Sequence, residues 1–133
     1  MKTTTTLRRR IIAGGLLVSL AVVALPGAGM AKDGDVRTST SCSGASTEKL
    51  KIGARDGGYE VEGEVDQNRN GKRWNWTFTN DGSQFANGSS LTKAPSGSFS
   101  VEKRIANRAG ADRIVATAKN LRTGETCRAS LTF

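Results

Sequence analysis

Residues 50–66 read LKIGARDGGYEVEGEVD, and the alternation in this stretch decides the fold. Leu50, Ile52 and Ala54 alternate with Lys49, Lys51 and Arg55. Tyr59, Val61, Gly63 and Val65 alternate with Glu60, Glu62, Glu64 and Asp66. A period of two is the mark of a strand with one face in the core and one in solvent. Asp56-Gly57 lies between the two runs, and both residue types accept the positive φ that a two-residue hairpin loop requires. With those two residues as the loop, Ala54 faces Tyr59, Ile52 faces Val61 and Leu50 faces Gly63. On the other face Lys51 then meets Glu62 and Lys49 meets Glu64. A single register satisfies the apolar face and the charge pairs together, as a real hairpin must.

The same grammar continues toward the C-terminus. Trp74, Trp76 and Phe78 share one face of a run whose other face is Asn75, Thr77 and Thr79. Asp81-Gly82 is a second loop and sets Phe85 opposite Phe78. The return run over 83–92 is polar and weakly patterned, which predicts a short edge strand. Residues 94–97 (APSG) form a turn, Phe99, Val101 and Ile105 mark another strand, and residues 107–110 form another loop. The last pair, 112–120 and 125–133, is joined by residues 121–124, which sets Ala118 opposite Cys127, Ala116 opposite Ala129 and Ile114 opposite Leu131. Turn signals every eight to twelve residues with no helical period predict an all-β, antiparallel two-layer sandwich of six or seven strands. This domain covers 47–133. Residues 32–46, rich in Ser and Thr, read as an extended arm or a first edge strand.

Toward the N-terminus the chemistry changes. Lys2, Arg8, Arg9 and Arg10 precede an apolar run over 11–25, closed by Pro26-Gly27 and the small residues Gly29 and Ala31. That order predicts a cleaved secretory signal peptide over 1–31. A permanent membrane span would need roughly 20 apolar residues, more than this run supplies. Arg8-Arg9-Arg10-Ile11-Ile12 also resembles a twin-arginine export signal, although Leu7 stands where that signal is usually polar; the general secretory route is the reading here. The expected location is therefore secreted or associated with the cell surface, with no stable membrane span after leader cleavage.

Composition narrows the chemistry further. The chain has 133 residues, no histidine, two cysteines and a formal net charge of +8. Histidine-based acid–base catalysis, Ser–His or Cys–His nucleophile pairs and His-ligated zinc are all excluded. Two cysteines cannot build a four-cysteine zinc site or an iron–sulfur cluster. No cofactor is implied. The leader carries four of the basic residues and no acidic one, so half of the net charge leaves with it. Residues 32–66 hold five basic and eight acidic side chains, and residues 67–133 hold eleven and four. The mature chain is thus modestly basic and segregated in charge. It lacks the aromatic interleaving of a single-strand nucleic-acid binder, and nucleic acid is not the expected partner.

Ala116-Thr117-Ala118-Lys119-Asn120 followed by Thr123-Gly124-Glu125 resembles the penultimate strand and final hairpin of the immunoglobulin-like and fibronectin-type sandwiches. The resemblance implies their architecture; Ala116 stands where an antibody-type domain has its second core cysteine. The whole chain also looks like small exported proteins of actinobacterial type, which implies an address and no particular activity.

Five features are candidates for function. Cys42 and Cys127 are expected to form a disulfide, the usual state of a cysteine pair in an oxidising compartment. Asp66-x-Asn68-x-Asn70-Gly71 matches the opening of a calcium loop, but Thr77 occupies the position of the bidentate glutamate and Lys72 and Arg73 oppose a cation. A polar turn is therefore the preferred reading, and no metal site is expected. Trp74 and Trp76 are either core or a platform for stacking a ligand. Glu60, Glu62, Glu64 and Asp66 could serve a small hydrolase, though a solvated strand face has the same pattern. Arg69, Lys72, Arg73, Arg108 and Arg113, with Lys103 and Arg104, could form a basic patch for an anionic partner. The leading expectation is a non-enzymatic exported binding module whose partner is an anionic envelope polymer or a secreted or surface protein. The alternatives are a hydrolase using the strand carboxylates and an inhibitor of a secreted enzyme.

Overall fold

Alternating residues and tight turns build eight strands: β1 (Val36–Ser41), β2 (Thr47–Arg55), β3 (Gly58–Asp66), β4 (Arg73–Asn80), β5 (Ser83–Leu91), β6 (Ser98–Ala106), β7 (Arg113–Asn120) and β8 (Thr126–Thr132). The computed structural model describes residues 34–133. The leader over 1–31 lies outside the described residues, as do Lys32 and Asp33. The described residues contain no helix, and so none long and apolar enough to cross a membrane. The strands form two antiparallel sheets, sheet A in the order β1-β2-β3-β6 and sheet B in the order β5-β4-β7-β8. This is the expected two-layer sandwich, with eight strands rather than six or seven. Residues 36–41 of the arm pair along β2 as an edge strand, and the polar return run is a full nine-residue edge strand.

The β2–β3 register is the expected one throughout, including Leu50 opposite Gly63 and Lys51 opposite Glu62. Asp56 and Gly57 take φ of 47° and 78°, the left-handed pair of a type I′ turn. The β7–β8 register also holds, with Ala118 opposite Cys127 and Ile114 opposite Leu131. The β4–β5 register departs from expectation. Phe78 pairs with Ala86, not Phe85, because a bulge interrupts the ladder between Phe78 and Thr79. The extra residue turns both Phe85 and Ala86 toward the core, and the Phe85 ring still reaches Phe78 at 5.9 Å between centroids.

The core divides into two contiguous groups. Leu50, Ile52, Val61, Phe78, Ile114 and Ala116 fill the half nearer the β2–β3 turn. Val65, Trp74, Trp76, Phe99, Ala118 and Cys127 fill the other half. Gly63 lies between the sheets where a side chain has no room: a Cβ there would come 2.8 Å from Phe78 Cε1. Gly63→Ala is expected to lose about 1–3 kcal/mol through overpacking of that ring. Urea denaturation measures the loss, and an unchanged midpoint would refute it.

Every strand runs antiparallel to the next, so the loops sort alternately to the two ends of the sandwich. Loops 42–46, 67–72, 92–97 and 121–125 share one end, and loops 56–57, 81–82 and 107–112 share the other. Cys42 bonds to Cys127 at the first of these, hereafter the disulfide end.

Candidate functional site

The indoles are in the core. Trp74 is 0% and Trp76 8% exposed, so neither is a platform on which a ligand could stack. The reason is the parity of β4: its even residues face sheet A, and Trp74 Nε1–H, the one polar atom of a wholly enclosed ring, donates to Gln67 Oε1 at 2.9 Å. The strand carboxylates lie on the outer face of sheet A and are paired. Lys49 Nζ is 3.0 Å from Glu64, Lys51 reaches Glu62, and Glu60 lies between Arg55 at 3.8 Å and Arg104 at 3.9 Å. The ordinary function of such a row is to solvate and register a sheet face.

The calcium-like loop is an Asx turn. Asp66 Oδ1 accepts the Asn68 N–H at 3.0 Å, Asn68 takes a φ of 56°, and Asn70 is exposed. Among the described residues, no group of three or more His, Cys, Asp or Glu is placed to hold a metal ion.

The basic residues do not form the single patch that their spacing suggested. Arg69, Lys72 and Arg73 belong to the disulfide end, whereas Arg108 and Arg113 belong to the opposite end. Strands of eight or nine residues separate the two sets by about 25–30 Å. Arg104 is held by Asp56 at 3.2 Å, and Lys103 Nζ stands 5.9 Å from the Trp76 ring. The reason is topological: nearness along the chain between 103 and 113 is not nearness to residue 69.

What the fold does assemble is a different cationic surface. The loops of the disulfide end carry Arg69, Lys72, Lys93 and Arg122 against one carboxylate, Glu125. The opposite end carries Arg108 against Asp35, Asp56, Asp81 and Asp112. The four strands of sheet B contain Arg73, Arg113, Lys119 and Arg128 and not one carboxylate. The four strands of sheet A hold six basic and six acidic residues. The whole net charge of the described residues therefore stands on sheet B, on its outer face, because the even residues of β4 and β7 and the odd residues of β8 fill the core. Among the described residues, none of Arg69, Lys72, Arg73, Lys93, Lys119 or Arg122 takes part in an ion pair.

Sequence reasoning missed Lys93, Lys119, Arg122 and Arg128. A parity rule could have found the two loop residues: with hairpins and crossovers counted, every second connection falls at the same end. Lys119 and Arg128 needed the β4–β7 pairing, which no local signal reveals.

Two grooves open at this end. One of about 530 Å³ runs between Arg73, Lys93 and the serines Ser89, Ser90, Ser98 and Ser100. Another of about 470 Å³ is lined by Gln67, Arg69, Lys72, Asn120, Arg122 and Glu125. The backbone below them is fixed. Thr92 Oγ1 accepts the Lys72 N–H at 2.9 Å and donates to the Arg69 carbonyl. Asn120 Oδ1 accepts the N–H groups of Arg122 and Thr123 at 2.9 and 3.1 Å. Gly97, at a φ of 68°, packs so closely that a Cβ would meet the Arg69 nitrogen at 2.2 Å. The cationic side chains thus spring from an ordered frame, which lowers the entropy lost when they close on a ligand.

No family model, no curated protein and no solved structure matches this chain.

Proposed function

We propose that this chain is an exported, non-enzymatic binding module that holds an anionic polymer of the cell envelope through its disulfide end and the outer face of sheet B. The observation that carries the reading is the sorting of charge: cations without carboxylates on sheet B, and four cations to one carboxylate in the loops beside it. Such a surface attracts polyanions and repels cations over distances set by the Debye length. The pairing of Glu60, Glu62 and Glu64 with lysines and arginines favours binding over hydrolysis. The leader pattern over 1–31 and the disulfide favour an oxidising location outside the cytoplasm.

The fold suits that role. With β1 set aside, the order β2-β3-β6 against β5-β4-β7-β8 corresponds to strands A-B-E against C′-C-F-G of an immunoglobulin-like sandwich. In this reading the domain is immunoglobulin-like with an added N-terminal edge strand, and the disulfide joins that added hairpin to the last strand.

Retention on isolated envelope material tests the function. The mature chain is expected to bind at about 20 mM salt and to elute by about 0.5 M, since counterion screening weakens exposed charge contacts. No retention at low ionic strength, or retention indifferent to salt, would overturn the reading.

A further inference from the structure

We infer that the groove between loops 67–72 and 121–125 is a subsite for a multi-oxygen anion of the phosphate or sulfate type. The source is either a polymer's ester groups or the free ion. The inference deepens the polymer-binding reading and rests on it only for that source.

Three cations, Arg69, Lys72 and Arg122, enter the groove from two loops whose backbones are tied down, and none is neutralised by an ion pair among the described residues. Gln67 supplies a neutral donor, and its orientation is dictated. Trp74 Nε1 can only donate, so Gln67 must offer it oxygen; Asn120 Nδ2 donates to the same oxygen at 3.4 Å. The Gln67 NH2 group is thereby left for the groove, and it has no partner among the described residues.

Glu125, the one carboxylate on the wall, is already committed. Its Oε1 accepts the Ser46 N–H at 2.9 Å and its Oε2 accepts the Ser46 hydroxyl at 3.0 Å. Both oxygens are thus bound by Ser46 of the neighbouring loop 42–46 and not by the arginines. Two guanidinium groups, an ammonium and an amide NH2 present many donors and no free acceptor. That set matches an anion with three or four oxygens better than a lone carboxylate with two.

The test uses the full mature chain with its disulfide intact. Inorganic phosphate, then sulfate, is titrated while backbone amide resonances are followed, with chloride at equal ionic strength as control. Shifts are expected to concentrate in 67–72 and 121–125. Arg69→Gln with Arg122→Gln is expected to weaken phosphate binding about tenfold or more. Arg108→Gln, in loop 107–112 at the opposite end, should leave it unchanged. Glu125→Gln should tighten it by removing the only opposing charge. Shifts spread over both ends, or a double Arg69/Arg122 variant that binds phosphate as well as the natural chain, would overturn the subsite.

A second arm separates the source. Retention on a phosphodiester-linked polyol polymer, competed by free phosphate, supports recognition of a polymer ester. Equal retention on a phosphate-free polyuronate, with no competition by phosphate, overturns the subsite and leaves the polymer reading standing. Localised phosphate shifts with no retention on either polymer support the subsite with the free ion as ligand, and remove the polymer.

Discussion

Glu48→Gln is expected to stabilise the fold at pH 8–9 and to flatten its pH dependence between about 4.5 and 8. Glu48 belongs to β2 but has the parity of Leu50 and Ile52, so its side chain points between the sheets and is 2% exposed. One protein contact favours its charged form, the Ala129 backbone N–H, while Oε2 has no hydrogen-bond partner in the described structure. Burial therefore dominates and pushes the carboxyl from its ordinary 4.5 up to about 8.

The sign of the linkage follows. The native state keeps a proton that the unfolded chain has released. The contribution of Glu48 to stability is thus full below pH 4.5, declines as pH rises through the window, and levels off above about 8. At 1.36 kcal/mol per pKa unit, the decline has a ceiling of about 5 kcal/mol. Lys49 and Lys51 do not mimic it. Hydrogen bonds to Glu64 and Glu62 hold their ammonium groups above the ordinary value of 10.5, so what they contribute is lost only as pH rises beyond that value. Urea denaturation at pH 5, 7 and 9 should show the natural chain weakening step by step and the Glu48→Gln chain holding level. Parallel pH profiles for the two proteins would sink the assignment.

The second large effect is expected from the disulfide. Cys42 and Cys127 are separated by 85 positions, so the bond closes a loop that takes in β2 to β7 and restricts the unfolded chain severely. Replacing both by alanine is expected to lose about 4–5 kcal/mol in the chain-entropy account. For a domain of about 100 residues that corresponds to a fall in Tm on the order of 20 °C. The loss should be felt first at the disulfide end, where Ser43 N–H donates to the Thr126 carbonyl at 2.8 Å and Ser46 is bound by Glu125. Scanning calorimetry of the double variant against the natural chain measures it. A Tm within 2 °C of the natural chain would show that the cross-link contributes little beyond the contacts around it.

Particular elements show how far the sequence could be read. Both hairpins flanked by clear alternation, β2–β3 and β7–β8, have the register predicted for them, down to Leu50 opposite Gly63 and Ala116 opposite Ala129. The β4–β5 hairpin does not. Its partner strand is polar on both faces, and a one-residue bulge in such a strand leaves no mark on the hydrophobic pattern. Glu48 was unreadable for a related reason. Its parity was plain, but a glutamate at the start of a strand normally finds water, and only the approach of β8 against β1 and β2 encloses it. The cationic end was half legible. Spacing along the chain picks out Arg69, Lys72 and Arg73 but joins them to Arg108 and Arg113, which lie at the far end, and it gives no sign of Arg122.

The sequence by itself determined the two-layer antiparallel architecture, the inward faces of the clearly alternating strands β2, β3, β7 and β8, two of the four hairpin registers and the cysteine pair. All of these depend on alternation and turn chemistry that act within a dozen residues, or on there being only two cysteines to join. The tertiary structure alone decided which loops share an end, that sheet B is free of carboxylates, and that Trp74 and Trp76 are enclosed. Those outcomes follow from the pairings of β3 with β6 and β4 with β7, made between segments more than thirty residues apart. Long-range pairing is selected by the packing of whole faces, and no local pattern encodes it.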